Sequence, residues 1–319
     1  MKLKDIPMNK VREVLGEGRD AEKQRQEPIA IAVLIDPSAP RELVECIKEA
    51  LVPSFSTASV KVDLLSAGRK PSLKAGLDAC LVIAGGDDAL TAPAVHAAAA
   101  SRIPCCVVAQ ASVDAPSLNT TGSVGLVASS DPADLLVRLG SWIVDNTDKD
   151  LAFAANFPFV RGPKVDQLIR VCAAENAAVG AIALIPGADM PIMTANQAKL
   201  ALDIAAVYGQ DLSAWRVPEL AAVVGGGFAY RAAARQLLGL IPGIGVAIKA
   251  GMGYAGTLTT GEALRARFEM GEGNLDDLSG AAAGIRDGLR DAAKTAAKSQ
   301  LGQVANEIVR RLGSNGDEA

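Results

Sequence analysis

The hydrophobic positions of residues 28–150 follow two alternating patterns. Five short segments have the continuous or alternating apolar pattern that is typical of β-strands, and helical segments lie between several of them. Strands that alternate with helices predict a largely parallel sheet covered on both faces. The predicted strands are IAIAVLID (29–36), SVKVDLLS (59–66), DACLVIAG (78–85), IPCCVVAQ (103–110) and GSVGLVAS (122–129).

Three helices of this part have predictable starts. A helical pattern runs from Arg41 to Leu51. Asp87 precedes the segment DALTAPAVHAAAASR and is a candidate N-cap. Asp131 precedes Pro132, which is the arrangement of an N-cap followed by a proline in the first turn.

The pattern changes after residue 150, where long segments rich in alanine, glycine and leucine replace the strand-like runs. The predicted fold class is therefore α/β plus all-α: a parallel-sheet domain followed by a Gly/Ala-rich helical domain. We expect the N-terminal arm to form either a short helix or a disordered segment. The predicted divisions are a polar arm (1–27), an α/β domain (28–150), a helical domain (151–275), an amphipathic helix (279–312) and a disordered tail (313–319).

The composition narrows the classes of function. The chain has 319 residues and a net charge of −4, which gives no reason to expect nucleic-acid binding. Its single histidine, His96, and its five cysteines without a CxxC pair argue against a zinc site or a histidine-based triad. We expect buried, reduced thiols in a cytosolic compartment. The polar N-terminus predicts no cleaved signal peptide.

The loop after the first predicted strand is the first candidate site. A phosphate-binding loop has the pattern GxxxxGK[ST] at this place, and its backbone N–H groups cradle the phosphates. Here the segment is IDPSAPREL, in which Ile35 replaces the first glycine. Pro40, Arg41 and Glu42 replace Gly-Lys-Ser/Thr. Proline removes a backbone donor, and a carboxylate in place of the hydroxyl would face phosphate charge.

By its strands and this loop, the α/β domain resembles an Era-like GTPase domain whose nucleotide motifs are degenerate. The family's DxxG would fall at Asp63, which has no glycine three residues later. Its guanine-reading NKxD would fall near Asp114, where Gln-Ala replaces Asn-Lys. The alternatives are an unrelated doubly wound domain, or a residual switch in which Arg41 and Asp114 contact nucleotide. We interpret AGGDD (84–88) as a turn and helix cap rather than a metal site.

Two segments of the helical part contain several unusual short motifs, AAVGAIALIPGADMPIMTANQAKLALDIAAVYGQDLS (177–213) and LLGLIPGIGVAIKAGMGYAGTLTTGEA (237–263). Through them residues 163–268 resemble the uncharacterised bacterial YcjF-like family, a domain also found C-terminal to Era-like GTPases. The resemblance implies a mainly helical, membrane-associated fold and supplies no catalytic residues. The candidate functional or structural residues are Pro186, Gly187, Asp189, Gln197, Tyr208, Gly209, Pro242, Gly243, Gly245 and Thr257.

Two apolar windows in these segments bear on the membrane. Residues 236–257 have one charge and six glycines, enough length for a spanning helix with closely packed neighbours. Residues 176–195 form a second window, which PGADMP interrupts near Asp189. We predict embedding in the cytoplasmic membrane with the N-terminal domain facing the cytoplasm. The alternative is a soluble bundle of Ala-rich helices.

The expected function is non-enzymatic: a membrane-associated scaffold or regulator whose pseudo-GTPase domain docks a partner. We expect no cofactor, no metal and no small-molecule substrate. The expected partners are the membrane and either another protein or a second copy bound through the Gly-rich helices. The alternatives are the residual nucleotide switch, and a small pore built from the two broken helices, in which Asp189 would be sensitive to substitution.

Overall fold

The computed structural model describes residues 8–69, 71, 73–116, 124–182, 190–210 and 246–269. These ranges contain five strands and eight α-helices. The strands are β1 (Ile29–Ile35), β2 (Ala58–Leu64), β3 (Ala79–Ile83), β4 (Cys105–Ala109) and β5 (Val124–Ala128). The helices are α1 (Met8–Arg25), α2 (Arg41–Ala50), α3 (Asp88–Ala100), α4 (Pro132–Asn146), α5 (Asp150–Asn156), α6 (Pro158–Ile182), α7 (Met190–Val207) and α8 (Val246–Glu269).

The five strands form one sheet in the order β2-β1-β3-β4-β5, and every pairing is parallel. This confirms the prediction of a parallel α/β sheet with helices in the second half of the chain. All five strands lie within one or two residues of their predicted bounds. The continuous apolar runs of β1, β3 and β4 are explained by burial on both faces, which is complete along β3 and β4, whereas no residue of the edge strand β2 is buried.

The two faces of the sheet have separate cores because side chains alternate along a strand. On one face, α3 packs Ala94, Val95 and Ala98 against the sheet. The side chains of Ile31 and Val33 point to the other face and are also buried. We place α2 and α4 on that face, since their buried residues lie outside the α3 cluster and the two helices contact each other.

The helix starts predicted from the sequence are confirmed. Asp87 caps α3, where its carboxylate accepts the N–H of Ala89 at 3.0 Å. Asp131 caps α4 by accepting the N–H of Ala133 at 3.1 Å, and Pro132 is the first helical residue. Each carboxylate therefore satisfies a backbone donor that has no partner within its own helix.

The residues up to Leu264 belong to one unit of the chain, and residues 265–319 form a second. Within the first unit, α1 shows that the described part of the N-terminal arm is helical from Met8 to Arg25, which was one of the two alternatives. It packs against α7, where Gly18 lies beside Leu202. Helix α4 approaches α6 closely, because a Cβ atom at Gly140 would lie 2.7 Å from the carbonyl oxygen of Phe159. The helices after β5 thus contact both the arm and the α/β elements.

Candidate functional site

The connection from β1 to α2 is a tight turn rather than a phosphate loop. Residues 36–40 alone separate the two elements. The N–H of Ala39 donates to the carbonyl oxygen of Asp36 at 2.9 Å, which closes the turn over four residues. In a phosphate loop, successive N–H groups point to one phosphate centre. In the β1–α2 turn the N–H groups of Ser38 and Ala39 both donate to Asp36 instead.

The carboxylate of Asp36 lies at the centre of this turn and is 1% exposed. One oxygen accepts the N–H of Ser38 at 2.9 Å and its hydroxyl at 2.7 Å. The other accepts the N–H of Gly85 at 3.0 Å and the N–H of Asp87 at 3.2 Å. These donors come from the loops after β1 and β3, which are neighbours in the sheet. In open α/β sheets this is the crevice where ligands bind.

Gly85 brings the two loops into direct backbone contact. A Cβ atom there would lie 2.2 Å from the backbone N of Ala39 and from the carbonyl carbon of Ser38. Such distances are far inside van der Waals contact, so only glycine fits. The crevice between β1 and β3 is therefore filled by backbone atoms and by the Asp36 carboxylate.

Two opposing effects set the pKa of Asp36. Burial alone raises it, because removal from water disfavours the charged form. The hydrogen bonds from Ser38, Gly85 and Asp87 favour the charged form and together outweigh burial, so the pKa lies below its ordinary value. Asp36 is therefore an ionised internal anion at neutral pH, with its oxygens satisfied by donors of the chain itself.

The residues expected to contact nucleotide in a residual switch are engaged elsewhere. Arg41 is exposed over 83% of its side chain and pairs with Glu45 on α2, with 2.7 Å between Nε and Oε1. Asp114 accepts the N–H of Ala111 at 3.2 Å within a short 3-10 turn after β4. Both interactions are local to one turn of the chain.

Metal and thiol chemistry find little support in the described part of the chain. It has no cluster of three or more His, Cys, Asp or Glu residues that could hold a metal ion. Four of the five cysteines are buried, as expected from the apolar runs. Burial raises the pKa of Cys106 to about 12, so this thiol stays protonated at neutral pH and is a poor nucleophile.

Four of the ten candidate residues of the helical part are described: Gln197, Tyr208, Gly209 and Thr257. The other six lie outside the described residues: Pro186, Gly187, Asp189, Pro242, Gly243 and Gly245. The two broken-helix motifs and the carboxylate expected to line a pore are thus not part of the described structure.

Tyr208 and Gly209 end α7. Gly209 has φ of 71°, and its N–H donates to the carbonyl of Ala206 at 2.9 Å. The N–H of Gln210 donates to the carbonyl of Ala205 at 2.9 Å, which completes a Schellman motif. The Tyr-Gly pair therefore has a structural role as a helix stop.

Helices α6, α7 and α8 share a polar layer, which we define as the buried residues Asn176, Gln197 and Thr257 and the half-buried Asn196. The side-chain amide of Asn176 donates to Thr257 Oγ1 at 2.9 Å, and Asn196 donates to Asn176 Oδ1 at 3.0 Å. Gly253 lets α8 approach, because a Cβ atom there would lie 2.5 Å from the carbonyl oxygen of Asn176. These hydrogen bonds fix the three helices in one register.

Gln197 is the member of the polar layer without a hydrogen bond. It is 0% exposed, and neither its Nε2 nor its Oε1 has a partner. It follows Met193 by four residues on α7, and Met193 Cε lies 3.1 Å from the Cβ position of Gly253. Gln197 therefore lies on the side of α7 that faces α8. Each unsatisfied group costs about 1–3 kcal/mol.

The motifs identified Gln197 and Thr257 but not Asn176 or Asn196. Asparagine is a poor helix former, and each of the two lies within an Ala-rich apolar helix. That conflict between residue type and surroundings is the signal in the sequence from which the polar layer could have been found.

A scan against protein-family models, a search of curated proteins and a search of solved structures each found no match to this chain. The resemblances to Era-like GTPases and to the YcjF-like family therefore rest on the sequence motifs alone. Within the described ranges, no helix combines the length and the apolar character of a membrane span. The window at 236–257 is described only from residue 246 onward.

Asp36→Asn should lower the free energy of unfolding by about 1.5–3 kcal/mol, because an amide nitrogen would face the donors of Gly85 and Asp87. Urea denaturation at neutral pH measures the change. Asp88→Asn is the control, since Asp88 is exposed in the first turn of α3 and its loss should cost only a few tenths of a kcal/mol. An Asp36→Asn variant as stable as the control would contradict the hydrogen-bonded carboxylate.

The native chain and Asp36→Asn should also differ in how the free energy of unfolding depends on pH, which urea denaturation at a series of pH values measures. Since the folded-state pKa of Asp36 is lowered, its stabilisation is present above the unfolded pKa of about 3.9. It is lost as the pH falls through the folded-state value. The stability difference between the native chain and Asp36→Asn should therefore shrink in acid.

Gln197→Leu should raise the free energy of unfolding by about 1–3 kcal/mol, because it removes two unsatisfied polar atoms without a large change of volume. Thr257→Val is the matched comparison and should lower it by a similar amount, since Asn176 loses its acceptor. Chemical denaturation of both variants measures the two changes in the free energy of unfolding. Equal destabilisation by the two substitutions would show that Gln197 has a partner in solution.

Proposed function

We propose that this chain is a non-enzymatic, membrane-associated scaffold or regulator, and that its α/β domain docks a partner without binding nucleotide. The observation that carries the proposal is the Asp36 carboxylate in the crevice between β1 and β3. The amides of Ser38, Gly85 and Asp87 point into this crevice, and the Asp36 carboxylate accepts a hydrogen bond from each of them.

Electrostatics strengthens this argument. Two like unit charges 4 Å apart repel by about 4 kcal/mol at the effective dielectric constant near a protein surface. A phosphate in the crevice would face the ionised Asp36 carboxylate, and the turn offers no glycine-rich cradle to offset the repulsion. Arg41 is the cation nearest in sequence, and it is paired with Glu45.

The membrane part of the proposal rests on the sequence of residues 236–257 and on the YcjF-like resemblance. The second half of that window is the start of α8. There, Gly253 packs against Asn176, and further along α8 Gly261 packs against Ile169 of α6. These two glycines thus serve helix packing within the chain, whereas the Cβ position of Gly251 in the same window has nothing within 4 Å and is open to a further helix.

A nucleotide-binding experiment tests directly the proposal that the α/β domain does not bind nucleotide. Thermal unfolding with millimolar GTP or ATP and magnesium should show no rise in Tm, because a ligand that does not bind the folded state adds no stability. Arg41→Ala is the control and should behave like the native chain. A rise in Tm that disappears in Arg41→Ala would support the residual switch instead.

Membrane fractionation with an alkaline carbonate wash tests the other half of the proposal. We expect the native chain to stay in the washed pellet. Ile244→Arg should shift the chain towards the supernatant, because a charge near the centre of a spanning helix costs about 2.5–3.5 kcal/mol in insertion. Recovery of the native chain in the supernatant would contradict insertion and favour the soluble bundle.

A further inference from the structure

Strand β2 is an edge strand with an exposed apolar row. It pairs with β1 on one side, and the described chain places no strand on its other side. Val62 and Leu64 are 59% and 58% exposed, which is high for apolar residues in a strand. An unprotected edge of this length is a template for another strand.

The hydrogen bonds to β1 show which backbone groups of β2 face outward. The carbonyl of Thr57 accepts the N–H of Ile29 at 3.0 Å, and the N–H of Leu65 donates to Ile35 at 2.8 Å. In a parallel ladder, alternate residues direct both of their backbone groups to the same neighbour. The odd-numbered residues of β2 therefore bond β1, and the even-numbered residues direct their N–H and C=O groups outward.

We propose that β2 pairs antiparallel with β2 of a second copy of this chain, about a two-fold axis through Val62. Val62 then lies opposite its own copy, and Val60 lies opposite Leu64 of the second copy. These residues have outward-facing backbone groups, so each opposed pair exchanges two hydrogen bonds. The exposed apolar side chains of the two copies become cross-strand neighbours, and the two sheets join into one.

The charges on the other side of β2 select this register. With the axis at Val62, Lys61 lies opposite Asp63 of the second copy, and the symmetric pair repeats the contact. Asp63 already has Arg69 Nη2 at 3.7 Å within its own chain, so the pairing adds a second cation. Moving the axis to residue 61 would oppose two lysines, and moving it to residue 63 would oppose two aspartates. Like charges directly opposite each other are destabilising.

The opposite edge of the sheet also has an exposed apolar residue, Leu126, but lacks the charges that select a register. Strand β5 has the sequence VGLVA, which carries no charge to select a register. Its Gly125 is covered by Trp142, whose Nε1 lies 2.0 Å from the Cβ position of that glycine.

The β2 proposal goes beyond the proposed function, because it holds whether or not the chain binds nucleotide or inserts into a membrane. It also differs from association through the Gly-rich helices.

The experiment exchanges the charges of Lys61 and Asp63, which face each other across the two-fold axis, and measures dimerisation. Sedimentation equilibrium of the full chain should show a dimer. Lys61→Glu and Asp63→Lys should each weaken the dimer about tenfold or more, because each replaces two attractive pairs by two repulsive ones. The double variant Lys61→Glu/Asp63→Lys restores both pairs across the axis and should bind more tightly than either single variant, while the loss of the Asp63–Arg69 pair within each chain limits the recovery. Both side chains lie on one face of the sheet, so the substitutions leave the backbone hydrogen bonds to β1 in place.

A cross-link fixes the register independently. In a hydrogen-bonded antiparallel pair the opposed Cα atoms are about 5.5 Å apart, which suits a disulfide. Val62→Cys should therefore give a cross-linked dimer on oxidation, in a Cys46→Ser background because Cys46 is the one native cysteine that is not buried. Ser59→Cys is the control, since residue 59 is exposed on β2 but lies off the axis.

Three results would overturn the proposal. They are a monomer at all concentrations, a dimer that Lys61→Glu leaves unchanged, and equal cross-linking through residues 59 and 62. An unchanged dimer that disperses with Ile244→Arg would assign association to the Gly-rich helices instead.

Discussion

The hydrogen bonds of the Asp36 carboxylate join the loops that follow β1 and β3. The structure of the crevice between these two strands depends on them. These loops meet at the edge of the sheet where ligands usually bind in this architecture. A buried carboxylate is tolerated there because four donors of the chain satisfy it. Gly85 allows the backbones to touch. The crevice is consequently occupied by hydrogen-bonded groups of the chain itself, whereas Val62 and Leu64 on the β2 edge of the sheet are exposed.

The helical half is held together by a different balance. Small residues let α8 approach α6 closely, and the polar layer then fixes which residues face each other. Such a layer costs stability when a member stays unsatisfied, as Gln197 does. The polar layer also defines a single register for these helices, whose Ala-rich surfaces would otherwise pack in several ways. The stop at Gly209 has a second constraint, because a Cβ atom there would lie 2.9 Å from Phe55 Cζ.

The strands and helix caps could be predicted because they depend on local patterns. Continuous Ile and Val runs gave β1 and β3, and Asp131 before Pro132 gave the start of α4. Asp36 could not be identified as the key residue, since it falls at an unspecified position of the phosphate-loop pattern. Its partners at Gly85 and Asp87 are about fifty residues away along the chain. The link from Asn176 to Thr257 spans 81 residues, so it too is visible only in three dimensions.

The most direct test of the closed crevice is a carbon-detected NMR titration of the Asp36 carboxyl group, followed together with the amide protons of Gly85 and Asp87. The account predicts a pKa below the ordinary aspartate value, amide shifts that follow the same titration, and no response of either amide to added phosphate or GTP at neutral pH. An ordinary or raised pKa for Asp36 would contradict the hydrogen-bonded anion, and amide shifts that saturate with added GTP would show that the crevice binds a nucleotide; either result would contradict the account.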